Sequence, residues 1–240
     1  MSLTQRQRSI TDQIREMIMR GEFRPEEHVQ EVPLSEKLGV SRTPIREALV
    51  ALGQEQLLIY RPNRGYVVRG FTLEEIINAH IVRGALEGLA CRLLAEAGID
   101  DPTRRTLEQC LVDGDKILAV GALTEEGLTP YRVMNHTFHQ TIIKATNNAY
   151  LHDVTERTLA IPLVSTRVIH WFDFDRNHFA HQLHHGIVEA ICKRQSSRAE
   201  ALMREHIERG TEIIREHYEP LVADRDAPLQ HLTAVTAPII

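Results

Sequence analysis

The sequence has little of what secreted, membrane-spanning or disulfide-stabilised proteins need. Among its 240 residues are three cysteines, Cys91, Cys110 and Cys192, an odd number without a CxxC pair, which excludes a disulfide framework and favours a reducing compartment. No apolar run approaches the roughly 18 residues of a membrane-spanning helix. The N-terminal MSLTQRQRSI lacks the apolar segment of a signal peptide. We therefore expect a cytoplasmic protein without a membrane partner.

A strongly positive charge, which is typical of nucleic-acid-binding proteins, is also absent from the chain as a whole. The formal net charge is -5. Residues 1–70, however, hold 11 Lys and Arg against 9 Asp and Glu, whereas residues 71–240 hold 17 against 24. A mildly basic N-terminal part followed by an acidic remainder suits a DNA-binding domain attached to an acidic domain.

A helix-turn-helix pattern lies within the basic part. A short helix at about 33–38 is followed by a Gly-Val turn, and Ser41 then has the residue type that precedes a second helix. Arg42 and Arg46 share one face of this second helix. Arginines near the N-terminus of a recognition helix can reach base edges in the major groove and can bond guanine O6 and N7 together. The alternative is a solvated basic face in which these arginines pair with Glu47.

The segments around this helix favour DNA recognition over the alternative. Ser41 could support a phosphate contact through its backbone N–H, and Thr43 could reach a phosphate or a thymine methyl group. The β-prone segments LLIY and YVV flank a Pro-Asn-Arg-Gly turn. This pattern predicts a two-stranded wing with Asn63, Arg64 and Gly65 at its tip, near the DNA backbone or the minor groove.

From residue 72 onward, helical periodicity replaces the strand pattern. Six predicted helices cover roughly 72–97, 102–119, 128–147, 150–170, 176–194 and 197–217. Short connections between helices are typical of a bundle. The prediction is therefore a mainly α protein, with a winged helix-turn-helix domain at 1–70, an all-helical effector-binding domain at 71–219, and a C-terminal tail at 220–240 without an assigned role.

The predicted bundle is rich in histidine. Of the 13 histidines in the chain, 10 lie between positions 136 and 217. Asn135 and His139 are four residues apart on one helix, and His184 and His206 lie on two later helices. Imidazoles from three helices together with an oxygen donor would suit Zn or Ni with a coordination position open to a carboxylate. Four further histidines keep other ligand sets open: His170, His178, His181 and His185.

Two stretches carry a family resemblance. The run VPLSEKLGVSRTPIREALVALGQEQLLIYRPNRGYVV resembles the winged-helix domain of the GntR family of bacterial transcription regulators. This resemblance implies that Arg42 and Arg46 contact operator bases and that Gly65 lies against the minor groove. The segments NHTFHQTIIKATNN, HHGIVEAI and ALMREHI resemble the FCD ligand-binding domain of the FadR branch.

The FCD resemblance implies a metal site and an anion site. It places the metal ligands at Asn135, His139, His184 and His206, and it selects His184 over its neighbour. Many family members have Asp at the first position, where this chain has a neutral and weaker amide ligand.

The resemblance also draws attention to Arg83, in a helix similar to the family's R-x-x-L-E pattern. An arginine directed into the bundle could pair with an effector carboxylate. The alternative partner is Glu87, one turn further on. Arg132 and Arg167 are weaker candidates for the anion site.

Together these patterns predict a transcriptional repressor and not an enzyme. It would bind a palindromic operator in double-stranded DNA as a homodimer, and a small carboxylate effector bound at the Zn or Ni site would control its affinity. A metal-dependent hydrolase or lyase is the less favoured interpretation, because the sequence has no HExxH or GxSxG motif. A metal-free regulator that responds to a larger acyl ligand stays open.

Overall fold

The computed structural model describes residues 9–19, 22–161, 164 and 174–223, in two compact units. Of these residues, those up to Thr72 belong to the first unit and Leu73 to Ala223 belong to the second. Arg167, His170 and most of the predicted tail lie outside the described residues. No described helix is long and apolar enough to cross a membrane.

The first unit is a winged helix-turn-helix, as the sequence predicts. Its elements in chain order are α1 (Ile10–Met19), α2 (Glu31–Leu38), α3 (Arg42–Gln54), β1 (Leu58–Arg61) and β2 (Gly65–Val68). The short turn between α2 and α3 and the hairpin after α3 have the order expected for this fold.

Local sequence determines where α2 ends and where α3 begins. Gly39 ends α2 with φ +67, in the left-handed region that glycine adopts without steric cost. Ser41 is extended and occupies the N-cap position of α3, although its side chain makes no capping hydrogen bond. Ile45, Leu49 and other apolar residues of α3 are buried, and α3 packs against α1. The face of α3 that carries Arg42 and Arg46 is left exposed.

The wing is an antiparallel hairpin. β1 pairs with β2 in a register that sets Leu58 opposite Val68 and Arg61 opposite Gly65. Asn63 and Gly65 have φ of +64 and +77, which the tight turn requires and which Asn and Gly tolerate.

The second unit is a helical bundle. The described part of this unit contains six helices, α4 (Leu73–Ala97), α5 (Asp101–Leu118), α6 (Glu125–Ala145), α7 (Ala149–Leu159), α8 (Phe174–Cys192) and α9 (Ser196–Ala223). The prediction of a bundle with about six helices is confirmed. Two ends differ from the sequence prediction, because α7 ends well before residue 170 and α9 continues through Ala223.

Capping residues and a continuous apolar core stabilise this bundle. Asp100, Thr124 and Asn148 cap α5, α6 and α7 by accepting hydrogen bonds from backbone N–H groups of the first turn. α4 packs chiefly along α9, and α5 packs against α6 and α8. The core includes Phe138 of α6 and Ile187 of α8, both fully buried. This packing brings the histidine-bearing faces of α6, α8 and α9 together.

Candidate functional site

Three histidines from three helices converge inside the second unit. They are His139 of α6, His184 of α8 and His206 of α9. The Nε2 atom of His206 lies 3.2 Å from Nε2 of His139 and 3.3 Å from Nε2 of His184. His139 and His184 are fully buried, and His206 is partly buried. The structure thus brings together the three histidines singled out in the sequence.

Phe138 fixes the orientation of one of these rings. It stacks on His184 with ring centroids 4.1 Å apart and an interplanar angle of 29°. Phe138 is fully buried in the core of the bundle, so this stacking keeps the His184 ring from rotating freely. The imidazole is held with its Nε2 directed at His206.

Glu87 of α4 fixes the protonation pattern of His139. Its Oε2 lies 2.5 Å from Nδ1 of His139, and both side chains are fully buried. A carboxylate can only accept hydrogen bonds, so Nδ1 of His139 carries the hydrogen. In the neutral ring the lone pair is then on Nε2, which faces the other two histidines. A carboxylate behind a histidine is the usual arrangement for orienting a metal ligand.

The other oxygen of Glu87 binds Arg83. Nε of Arg83 donates to Oε1 of Glu87 over 2.6 Å, and its Nη1 donates to the carbonyl oxygen of Val164 over 3.0 Å. Burial alone would raise the pKa of Glu87, but the charge of Arg83 and the interactions with His139 outweigh it and hold that pKa well below its usual range. The carboxylate is therefore ionised. Arg83 therefore forms an ion pair with Glu87, which was the alternative to an effector carboxylate considered from the sequence.

Burial favours the neutral form of the other two imidazoles, those of His184 and His206. Burial, followed by the neighbouring imidazoles, holds the pKa of His184 well below its usual value, and burial has the same effect on the pKa of His206. Nδ1 of His184 is buried without a hydrogen-bond partner among the described residues. A neutral imidazole can act as a ligand through its unprotonated nitrogen.

This donor set fits a divalent metal ion. Hydrogen bonds satisfy three Nε2 atoms that face one another only poorly, because a single N–H of His206 would have to serve both neighbouring nitrogens. Two nitrogens bound to the same tetrahedral ion at its usual bond length are about 3.3 Å apart. The separations of 3.2 and 3.3 Å between these atoms agree with that value.

Of two further predicted residues, Asn135 is related to this cluster by its spacing on α6, and Arg83 by the effect of its charge on His206. Asn135 is largely buried and precedes His139 by one turn of α6. Arg83 is close enough to His206 for its positive charge to contribute, after burial and His139, to the lowered pKa of that histidine. Arg83 is itself paired with the ionised Glu87, so the pair adds little net positive charge beside the histidines.

A second group joins two of the histidines that the sequence left open as ligands to an aspartate that was not identified from the sequence. Asp115 of α5 lies with His181 and His185 of α8, and their potential ligand atoms are all within 4.8 Å of one another. Nε2 of His181 is 3.2 Å both from the carbonyl oxygen of Leu111 and from Oδ1 of Asp115. Because both neighbours are acceptors, this nitrogen is a hydrogen-bond donor. The group is therefore a hydrogen-bonded link between α5 and α8.

In the first unit, Arg42 and Arg46 are exposed and share one acidic partner. Both donate to the carboxylate of Glu31, at the start of α2. The pairing with Glu47 considered from the sequence is therefore replaced by a pairing with Glu31. Ser41 and Thr43 are exposed at the same end of α3.

The wing tip presents the remaining predicted DNA contacts. Asn63 and Arg64 are exposed, and Gly65 is partly buried. A Cβ atom at Gly65 would lie 3.1 Å from Nε2 of His28 and would also be strained by the positive φ. Glycine at this position therefore keeps the turn narrow.

A winged helix-turn-helix unit and a helical bundle with a buried histidine cluster define the class of a bacterial DNA-binding regulator. Residues 6–68 match the model of the bacterial regulatory proteins of the gntR family, and residues 79–209 match that of the FCD domain. The FCD match covers more than half of the chain. The chain belongs to the GntR family of transcription regulators, in the group that carries an FCD domain, and it is a DNA-binding transcriptional regulator.

Individual relatives agree with this assignment. The chain is 26% identical to the HTH-type transcriptional regulator YdhC of Bacillus subtilis, over 85% of this chain and 88% of the relative. It is 25% identical to the HTH-type transcriptional repressor GlaR of Escherichia coli, over 83% of this chain and 91% of the relative. The solved structure of E. coli McbR/YncC shares the fold, with a TM-score of 0.72 and 18% identity over 87% of this chain and 96% of that one.

Proposed function

We propose that this protein is a repressor whose operator affinity is controlled by a small carboxylate bound at a divalent metal ion, Zn or Ni, in the helical unit. The observation that carries this proposal is the convergence of three Nε2 atoms, with His139 held in the ligand-competent tautomer by Glu87. The naming of the relative GlaR as a repressor supports the direction of control. Regulation and not catalysis is the role.

In this proposal each residue of the bundle has a defined task. His139, His184 and His206 hold the ion, and Asn135 completes the protein ligands through its amide oxygen. The bound ion supplies positive charge and an open coordination position that attract a carboxylate. Arg83 contacts Glu87 and Val164 through Nε and Nη1, and its Nη2 is the group that would bond the carboxylate. A ligand that carries a carboxylate is therefore favoured over a neutral one.

The DNA-binding role belongs to α3 and the wing. Arg42 and Arg46 read base edges in the major groove, while Ser41 and Thr43 contact phosphates or a thymine methyl group. Asn63, Arg64 and Gly65 approach the minor groove or the backbone. The protein binds as a homodimer, because two copies related by twofold symmetry match a palindromic operator.

Metal analysis tests the first part of the proposal. Protein produced without a histidine tag is analysed by mass spectrometry for bound metal, and we expect about one Zn or Ni per chain, and none in His184→Ala. His178→Ala, which removes an exposed histidine of the same helix, is the matched control and keeps its metal. A metal-free wild type that also fails to bind added Zn or Ni would eliminate the metal site and favour a metal-free acyl-responsive regulator.

Operator binding tests the second part. The test compares the binding free energies of an operator selected from random DNA and of a scrambled duplex. Arg46→Ala is expected to reduce the difference between them by about 1–3 kcal/mol. Arg92→Ala removes an exposed arginine of the second unit and serves as the control for net charge. Unchanged discrimination in Arg46→Ala would contradict base reading by this residue.

A further inference from the structure

The two arginines proposed to read DNA are both held by one carboxylate. Glu31 is the first residue of α2. Its Oε2 lies 2.8 Å from Nη2 of Arg42 and 3.1 Å from Nε of the same residue. Nε of Arg46 lies 2.9 and 2.8 Å from Oε1 and Oε2 of Glu31. The Glu31 side chain is 28% exposed, whereas the two arginine side chains are 55% and 60% exposed.

The atoms used in these contacts matter for recognition. Arg46 is held through Nε alone, and its two Nη groups make no hydrogen bond within the described part of the chain. The two Nη groups are the ones with which an arginine, approaching end-on, bonds guanine O6 and N7. Arg42 keeps its Nη1 in the same way, because its contacts use Nε and Nη2. Glu31 thus restrains both arginines, and it leaves both Nη groups of Arg46 and Nη1 of Arg42 without a contact in the described part of the chain.

We propose that Glu31 is a positioning residue for operator recognition, which holds the inner edges of Arg46 and Arg42 so that their outer nitrogens are presented to guanines. The inference rests on the proposed base-reading role of these two arginines. The contact of Arg46 with Glu31 persists when the operator is bound, since the base and the carboxylate use different nitrogens. Arg42 shares Nη2 with Glu31, so Arg46 is the main base-reading residue of the pair.

Conformational entropy explains why such a restraint increases specificity. An exposed arginine side chain samples many rotamers, and ordering it at an interface opposes binding. With Glu31 in place, part of that ordering is already present in the free protein. Hydrogen bonds from Arg46 and then Arg42 also lower the pKa of Glu31, so the carboxylate is ionised at neutral pH.

Charge gives Glu31 a second effect. A carboxylate near DNA phosphates weakens binding to every sequence, because the sequence-independent part of the affinity comes from positive charge on the protein. Glu31 therefore lowers affinity for random DNA while it increases preference for the operator. These two effects can be separated, since a change in charge alone leaves the ratio of the two affinities unchanged.

The test compares two variants that remove the same charge from α2. The probes are a duplex selected by the full-length protein from a random library and a scrambled duplex of equal length. We expect Glu31→Gln to lower the ratio of the two affinities about fivefold or more, as weaker base discrimination requires. Glu36→Gln, at an exposed position of α2, leaves the ratio at the wild-type value. Equal ratios for the two variants would overturn the proposal.

Two further measurements separate positioning from a structural effect. Replacing guanine by 7-deazaguanine in the selected duplex removes the N7 acceptor and is expected to weaken wild type more than Glu31→Gln. In an Arg42→Ala/Arg46→Ala background, Glu31→Gln is expected to leave the affinity ratio unchanged, and a further fall there would overturn the proposal. If Arg42→Ala/Arg46→Ala itself keeps the wild-type ratio, the base-reading role fails and the inference fails with it.

Discussion

Glu87 illustrates which contacts of a single residue can be predicted from sequence. It follows Arg83 by one helical turn, so their ion pair is one of two alternatives that the spacing indicates. Its contact with His139 joins residues 52 positions apart. Local periodicity shows which face of a helix a side chain occupies, but it does not show which side chain of another helix will meet it. For the same reason the partner of Arg42 and Arg46 could not be identified as Glu31.

Replacing Glu87 tests its role behind the metal ligand. We expect Glu87→Gln to lower the affinity for Zn about 10- to 100-fold, because His139 loses its ionised hydrogen-bond acceptor. The same change leaves Arg83 buried beside a neutral group, and we expect it to cost about 3–5 kcal/mol of stability. Competition with a chromophoric chelator measures the first effect and urea unfolding the second.

The control for this substitution is Glu108→Gln, which neutralises an exposed carboxylate of α5. It should bind Zn with the wild-type affinity. If Glu87→Gln folds and also binds Zn as wild type does, the carboxylate does not support the ligand.

At the scale of elements, periodicity predicts where helices are more reliably than where they end. The predicted helix at 150–170 corresponds to α7, which ends at Leu159. The backbone then tightens, since the N–H of Ile161 bonds to the carbonyl of Thr158, and Pro162 follows. The residue before a proline is disfavoured in the α-helical backbone conformation. Pro162 was therefore the signal in the sequence for the end of this helix, and periodicity alone does not detect it.

The packing of α5 against α8 depends on a glycine that has no motif around it. At Gly114 of α5 an added Cβ would lie 2.1 Å from the His181 ring, which is buried and bonded to Leu111 and Asp115. We expect Gly114→Ala to destabilise the protein by about 1–3 kcal/mol through overpacking. Urea or thermal unfolding measures the change.

A matched substitution in α9 is expected to change the free energy of unfolding in the opposite direction. A Cβ at Gly210 would meet nothing within 4 Å. Gly210→Ala is therefore expected to stabilise the protein by about 0.5–1 kcal/mol, because alanine favours the helix more than glycine. Equal effects of the two substitutions would show that the His181 ring moves aside without cost.

For the whole molecule, uneven composition is weak evidence by itself and gains weight only beside the motifs. The mildly basic 1–70 and the acidic remainder suit a DNA-binding domain attached to an acidic domain. Helical spacing and the FCD resemblance were enough to indicate His139, His184 and His206 as a set. Only the folded bundle could show their distances, since these depend on how α6, α8 and α9 pack.

Removal of the metal should affect the two units differently. If the ion binds only the folded bundle, a free concentration 100 times the dissociation constant stabilises that unit by about 2.7 kcal/mol. We expect a chelator to lower the unfolding temperature of the second unit and to leave that of the first unchanged, as measured by calorimetry. His184→Ala should be insensitive to the chelator, and an equal shift in that variant would contradict metal binding at this site.

The burial of His139 and His184 also affects how fast a bound metal ion would exchange with solvent. An ion held by these two histidines, which have no solvent exposure, could leave only after both buried rings release it, and such local opening is rare in a packed core. Metal exchange would then be slow compared with the binding of a small carboxylate. In that case the ion is a resident part of the receptor, and the organic ligand carries the signal.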